Sequence, residues 1–125
     1  TLTHLPSWLV EVEEELILAN SNIEDIPDSL KIKGGIFAIN SKLKEFRRSV
    51  VFGDLDLDST AIAKLPDGLI VHGYLSVQEV DLMELPKKLY VRDTLYMYHS
   101  SFMELSTIEI TKKYRIGTIE RDEYR

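Results

Sequence analysis

A leucine followed by proline, or a degenerate form of that pair, returns along this chain at a nearly fixed step. The anchors are Leu5-Pro6, Ile26-Pro27, Phe46-Arg47, Leu65-Pro66, Leu85-Pro86 and Leu105-Ser106, so the successive steps are 21, 20, 19, 20 and 20 residues. A period in this range points to a solenoid: one repeat is too short to bury an apolar face alone and does so by stacking on the next.

The register is clearest in the middle of the chain. Leu65-Pro66 leads through Leu69, Val71, Gly73, Leu75, Val77, Val80 and Leu82 to Leu85-Pro86. The following copy runs Leu89, Val91, Leu95, Met97, Ser100, Phe102 and Leu105, and the earlier ones fill the same slots with Leu30, Ile32, Ile36, Ala38, Ser41, Leu43 and Phe46, and with Leu55, Leu57, Thr60, Ile62 and Leu65. The stretch around Leu75 and Val77 alternates apolar with Tyr74, Ser76 and Gln78, which predicts a strand with one face inward. Gly34, Gly53 and Gly73 precede that strand, where a residue without Cβ takes an unusual dihedral or lets neighbouring coils approach. Proline after the last inward leucine lacks an amide donor and suits a corner.

The segment Leu55-Asp56-Leu57-Asp58-Ser59-Thr60-Ala61-Ile62-Ala63-Lys64-Leu65-Pro66 resembles the leucine-rich repeat family, in its short bacterial form of about 20 residues per repeat. The resemblance covers residues 2–105. It implies a mainly β, right-handed solenoid of about six coils in a single domain 1–125, with 106–125 as a degenerate C-terminal coil or cap. The family's inward asparagine is missing; Ser21, Ser41, Thr60, Val80 and Ser100 hold its place. Hydroxyls can satisfy part of the bend's backbone, and valine cannot. The strand-like lead-in around Gly34 and Gly73 keeps a two-sided parallel β-solenoid as the alternative.

Composition narrows the function classes. The chain has no cysteine and a formal net charge of −6. Cysteine's absence removes disulfide caps and thiol chemistry and favours a cytoplasmic setting, including a host cytoplasm if the protein is a secreted effector. Negative charge argues against direct nucleic-acid binding, which depends on phosphate neutralisation. No apolar run approaches the about 18 residues of a membrane span, and no secretory leader is read at the N terminus. Neither a cofactor nor a metal is expected.

The register assigns Glu15, Ile17, Ala19, Gly35, Phe37, Ile39, Asp54, Asp56, Asp58, Tyr74, Ser76, Gln78, Thr94, Tyr96 and Tyr98 to the outward strand face, followed by Asn20, Asn40, Ser59, Glu79 and His99. None is Lys or Arg; basic residues gather at the bends, at Lys31, Lys33, Arg47, Arg48, Lys87, Lys88 and Arg92. Three patches follow. Ile17, Phe37 and Ile39 form an apolar one, either open or covered by the N-terminal segment around Trp8 and Val10. Asp54, Asp56 and Asp58 form an acidic ladder, read as a solvated row or as a surface for a cationic partner. Tyr74, Tyr96, Tyr98 and His99 form an aromatic one, read as a binding surface or as ordinary cross-strand stacking.

Catalysis has little support. His4, His72 and His99 fall at different repeat positions, His72 reads as a solvated turn, and no phosphate-binding or zinc-binding motif is present. The expectation is a noncatalytic protein-binding module whose contacts are Phe37, Ile39, Asp54, Asp56, Asp58, Tyr74, Glu79, Tyr96, Tyr98 and His99. Its partner would be another protein with a basic patch. By resemblance such repeats occur in bacterial effectors and phage-encoded proteins. The alternatives are an acidic inhibitor that mimics nucleic acid towards a nucleic-acid-handling protein, and carbohydrate binding. Edge-to-edge dimerisation through an uncovered terminal coil is a further expectation.

Overall fold

The computed structural model describes residues 2–82, 84–100 and 106–122. The chain forms a parallel β-solenoid of about five turns with one short helix. Most coils carry two short strands with a corner between them: β1 (Glu11–Val12) and β2 (Leu16–Ile17), β3 (Lys31–Ile32) and β4 (Ile36–Phe37), β5 (Val50–Val51) and β6 (Leu55–Asp56), β7 (Ile70–Val71) and β8 (Leu75–Ser76). In the fifth coil the two fuse into one strand, β9 (Tyr90–Tyr96). The second strands stack in the order β2-β4-β6-β8-β9 with Leu16, Ile36, Leu55, Leu75 and Leu95 in register.

Stacking like on like makes the core a set of apolar columns. Leu16, Ile36, Leu55, Leu75 and Leu95 form one, Leu18, Ala38, Leu57, Val77 and Met97 the next, and Ile23, Leu43, Ile62 and Leu82 a third on the return side; all are buried. Each coil hands backbone bonds to the next: Leu18 N–H donates to Phe37 O (2.7 Å), Ala38 to Asp56 (2.8 Å), Leu57 to Ser76 (2.9 Å) and Val77 to Tyr96 (2.8 Å). The chain then turns through one left-handed residue per coil, Asn20, Asn40, Ser59, Glu79 or His99, with φ between 53° and 58°. Asparagine tolerates that region and the others less so.

The hydroxyl slot performs as expected of it. Ser41 Oγ accepts from Leu43 N–H (3.3 Å), while Thr60 Oγ1 donates to Leu57 O (2.7 Å) and Ser100 Oγ to Met97 O (3.1 Å). Val80 only packs. The corner glycines serve close approach and not an unusual dihedral, because none of them has a positive φ. A Cβ on Gly53 would lie 2.8 Å from the Gly35 nitrogen, and one on Gly73 would lie 2.9 Å from the Asp54 nitrogen and collide with that residue's carboxylate.

Past the fifth coil the pattern changes. Ser106 caps α1 (Thr107–Lys113) in a reciprocal capping box with Glu109, the arrangement that satisfies two otherwise free amides at a helix start. Ile110 and Tyr114 are buried, and β10 (Arg115–Glu120) lies parallel on β9 along both strand segments. The expected sixth coil is therefore a helix and one strand, so the turns number about five and not six. The physical reason is local: Thr107–Lys113 has a cap, an acidic first turn and a basic last turn, which favour a helix over a strand. The expected anchor Leu105 and its neighbour Phe102 lie outside the described residues.

One junction departs from the rest. Lead-in strands pair as β1-β3 and as β5-β7-β9, and β3 and β5 do not pair. The repeat is one residue short here: Ile26-Pro27-Asp28-Ser29-Leu30-Lys31 in the second coil faces Phe46-Arg47-Arg48-Ser49-Val50 in the third. The third coil's corner cannot reach the position that continues the ladder. Arg48 bridges one end of the gap with its side chain, donating from Nη1 to Pro27 O at 3.0 Å and from Nη2 to Leu30 O.

Candidate functional site

The outward face of the second-strand column is continuous across the five coils. Its central row is Ile17, Phe37, Asp56, Ser76 and Tyr96, held in register strand by strand. Flanking rows carry Asp54 and Tyr74 on one side and Ile39, Asp58, Gln78 and Tyr98 on the other.

The N-terminal end of this face is open. Trp8 is 77% exposed and Val10 68%, so of the two alternatives for this patch the open one is found; Ile17 stays 66% exposed and Ile39 37%. The first residues stack on the return side instead, where Glu24 N–H donates to Thr3 O at 2.8 Å and Leu5 and Leu9 pack against the core.

The acidic ladder is not a solvated row. Asp54 Oδ1 accepts from Tyr74 N–H (2.9 Å), and Asp58 Oδ1 accepts from Gln78 N–H (2.8 Å) and Ser76 Oγ (2.6 Å), with Gln78 Nε2 on its other oxygen (3.0 Å). The two carboxylates thus staple coil three to coil four at both ends of the short β6-β8 pair, adding to backbone bonds that continue there from Gly73 to Gly53 and from Ser59 to Gln78. Among the described residues no basic side chain pairs with the ladder; amides and hydroxyls of the next coil do. Asp56 is the larger correction. Sandwiched between Phe37 and Ser76, it is 7% exposed, and it accepts from Asp58 N–H at 3.1 Å and from Tyr74 Oη at 3.4 Å. Its pKa is pushed up to about 6, first by burial and further by the Asp58 charge, against the opposing bond from the Asp58 amide. Tyr74 is pushed up to about 12 by its own burial and then by the Asp56 and Asp54 charges.

Aromatic residues occupy the C-terminal end. Tyr74 and Tyr96 meet edge to face at 5.6 Å with an 88° interplanar angle, the arrangement ring quadrupoles favour. Tyr98 lies 6.5 Å from the His99 ring. His99 and Glu79 stand exposed in their left-handed turns, with Ser59 Oγ donating to Glu79 Oε2 at 3.2 Å. The His99 amide donates to Asp122 at 2.8 Å, which closes the ladder against the C-terminal cap. The structure so brings Phe37, Ile39, Tyr74, Tyr96, Tyr98, Glu79 and His99 onto one face, and turns Asp54, Asp56 and Asp58 towards that face's own framework.

A second cluster lies on the lead-in column, outside the residues that the repeat register singles out. There Phe52, 61% exposed, stacks on His72 at 5.8 Å with rings 4° from parallel. Beside it the gap between β3 and β5 opens into a cleft of about 630 Å³ whose lining includes Lys31, Ile32, Arg48, Val50 and Phe52. The signal was present in the 19-residue step and in Phe46-Arg47 standing where other coils have Leu-Pro. Among the described residues no group of three His, Asp or Glu side chains is placed to hold a metal ion, and no helix is long and apolar enough to cross a membrane.

No protein-family model matches the chain, and neither a curated protein nor a solved structure is significantly similar to it.

Proposed function

We propose that the protein is a noncatalytic module that binds another protein through the outward face of the β2-β4-β6-β8-β9 column, within the cytoplasm of its own or a host cell. The single observation that carries this reading is the face itself: five stacked coils, Ile17 and Ile39 left open at one end, three tyrosines at the other, and no Lys or Arg in the rows between. Flat sheet surfaces of this kind supply aromatic and aliphatic area at low entropic cost, which is where hot spots concentrate. The inward column of Leu55, Leu57, Ile62 and Leu65 supports a relation to the leucine-rich repeat, while two strands per coil go beyond that motif.

The aspartates modify the reading. Asp54 and Asp58 spend their acceptor capacity on coil four and Asp56 is buried, so recognition of a cationic partner rests on Glu79 and on whatever field the ladder projects past its own bonds. A phosphate-mimicking surface is correspondingly less supported than an apolar and aromatic one.

The test compares wild type with an Ile39→Asp, Tyr98→Ala double variant as bait for capture from cell lysate, followed by direct titration of the captured protein. Loss of binding of about tenfold or more in the double variant supports the face as the site. Equal binding by both baits overturns it.

A further inference from the structure

We infer that the cleft between β3 and β5 is a second binding site, which takes an extended acidic peptide segment of a partner protein as an added piece of strand. Three observations converge there.

The first is unmet backbone pairing. In the neighbouring junctions Lys31 N–H donates to Val10 O (3.1 Å), Ile70 N–H to Ser49 O (2.8 Å) and Tyr90 N–H to Leu69 O (3.0 Å). The equivalent bonds from Val50 to Leu30 and from Phe52 to Ile32 are absent among the described residues. Strand alternation directs the Val50 and Phe52 amides away from β7, towards the gap. An exposed row of amides is a template for an incoming chain.

The second is charge. Lys31, Lys33 and Arg48 line the cleft against one carboxylate, Asp28, and among the described residues neither Lys31 nor Arg48 has a carboxylate within ion-pair distance, in a chain of formal net charge −6. The guanidinium is committed to the carbonyls of Pro27 and Leu30, so its charge is fixed in place, with Asp28 acting on it only from beyond ion-pair distance. An excess of cations over carboxylates in one cleft of an otherwise acidic protein selects an anionic occupant and speeds its encounter.

The third is shape. The cleft of about 630 Å³ has a mostly apolar lining, with Ile32 at its base and Phe52 exposed at its rim. An extended segment alternates its side chains, so carboxylates can face Lys31 and Arg48 while apolar residues lie on Phe52. Its carbonyl oxygens then accept from the Val50 and Phe52 amides.

The experiment titrates full-length protein with a fluorescein-labelled octapeptide of alternating Glu and Val, and with the same peptide carrying Lys for Glu. The expected result is saturable binding of the Glu peptide only, weakened about tenfold or more by Lys31→Glu and by raising salt from 50 to about 300 mM. Phe52→Ala, which leaves the charge unchanged, weakens it by a smaller factor. Amide exchange at Val50 and Phe52 slows when the peptide is bound. Equal binding of both peptides, binding indifferent to Lys31→Glu, or unchanged exchange at those two amides overturns the inference. Slowed exchange that depends on protein concentration without peptide also overturns it, by making the occupant a second copy of the chain.

Discussion

Two strand columns are built from one repeat, and only one of them is unbroken. In the second-strand column Leu-x-Leu fixes two buried positions per coil, and the backbone ladder runs from β2 to β9 without interruption. In the lead-in column a one-residue deficit before Val50 opens the ladder between β3 and β5. A parallel register with one buried face resists slippage, because a single-residue shift would turn every leucine outward. The corner has no such constraint, so it absorbs the whole deficit. The difference teaches that a solenoid absorbs a length deficit in the bend before a strand, keeping the inward residues Ile32, Val51, Val71 and Val91 buried while the backbone ladder beside that bend opens as a cleft.

The sharpest way to break this comparison is to cut one side chain in each column. Leu57→Ala, in a fully buried position of the continuous column, should cost about 3–4 kcal/mol in urea unfolding. Val50→Ala, half-buried beside the gap, should cost about 1 kcal/mol. Equal losses would mean that the lead-in column is as tightly built as its neighbour.

Asp56 gives the next largest effect, and its sign is opposite to that of a usual surface carboxylate. Burial raises its folded pKa from 3.8 to about 6, so the fold prefers it protonated. The stability this provides is full below about pH 4 and lost as pH rises through about 6, a difference on the order of 3 kcal/mol at most. Asp56→Asn keeps an acceptor for the Asp58 amide and a polar partner for Tyr74. It should stabilise the protein at pH 7.5 by about 2 kcal/mol and flatten stability between pH 4 and 7. Thermal unfolding across that range checks both; a variant less stable than wild type at pH 7.5 would show that the carboxylate is favourably solvated or paired.

Arg48→Met should cost about 2 kcal/mol, because two carbonyls lose charged donors while the alkyl packing is kept. The loss should fall on the coil two to coil three junction, seen as faster exchange at Leu30, whose amide bonds to Pro27 O, with coil four unaffected. The smallest effect is at the turns. His99→Asn replaces a residue held at φ 55° by the type found at Asn20 and Asn40, and should stabilise by about 0.5–1 kcal/mol in the same unfolding assay. A neutral or negative result would place the value of His99 in its approach to Asp122.

The sequence carried the architecture because the repeat states its own register. Leu55 and Leu57, or Leu75 and Val77, could be assigned inward from alternation alone, and they are buried. The hydroxyl slot was legible for the same reason. The count of coils was not, since the 106–125 segment speaks through a helix cap at Ser106 and not through the repeat. The outward face was legible as a set of residues but not as an environment. Alternation places Asp56 and Ser76 outward, yet stacked neighbours bury both, because in a solenoid a residue's exposure depends on the coils above and below it. Donors to Asp54 and Asp58 come from residues twenty positions away, at Tyr74 and Gln78, visible only once coils are superposed. The gap at Val50 left a trace in the spacing, and the spacing alone does not say which column opens.

The most direct measurement is residue-resolved native-state amide exchange on the full chain. Exchange should be slow and similar at Leu18, Ala38, Leu57 and Val77, whose amides all bond to the next coil, and faster by about a hundredfold or more at Val50 and Phe52. Protection at Val50 and Phe52 equal to that at Leu57 would contradict this, closing the lead-in column and removing the cleft with it.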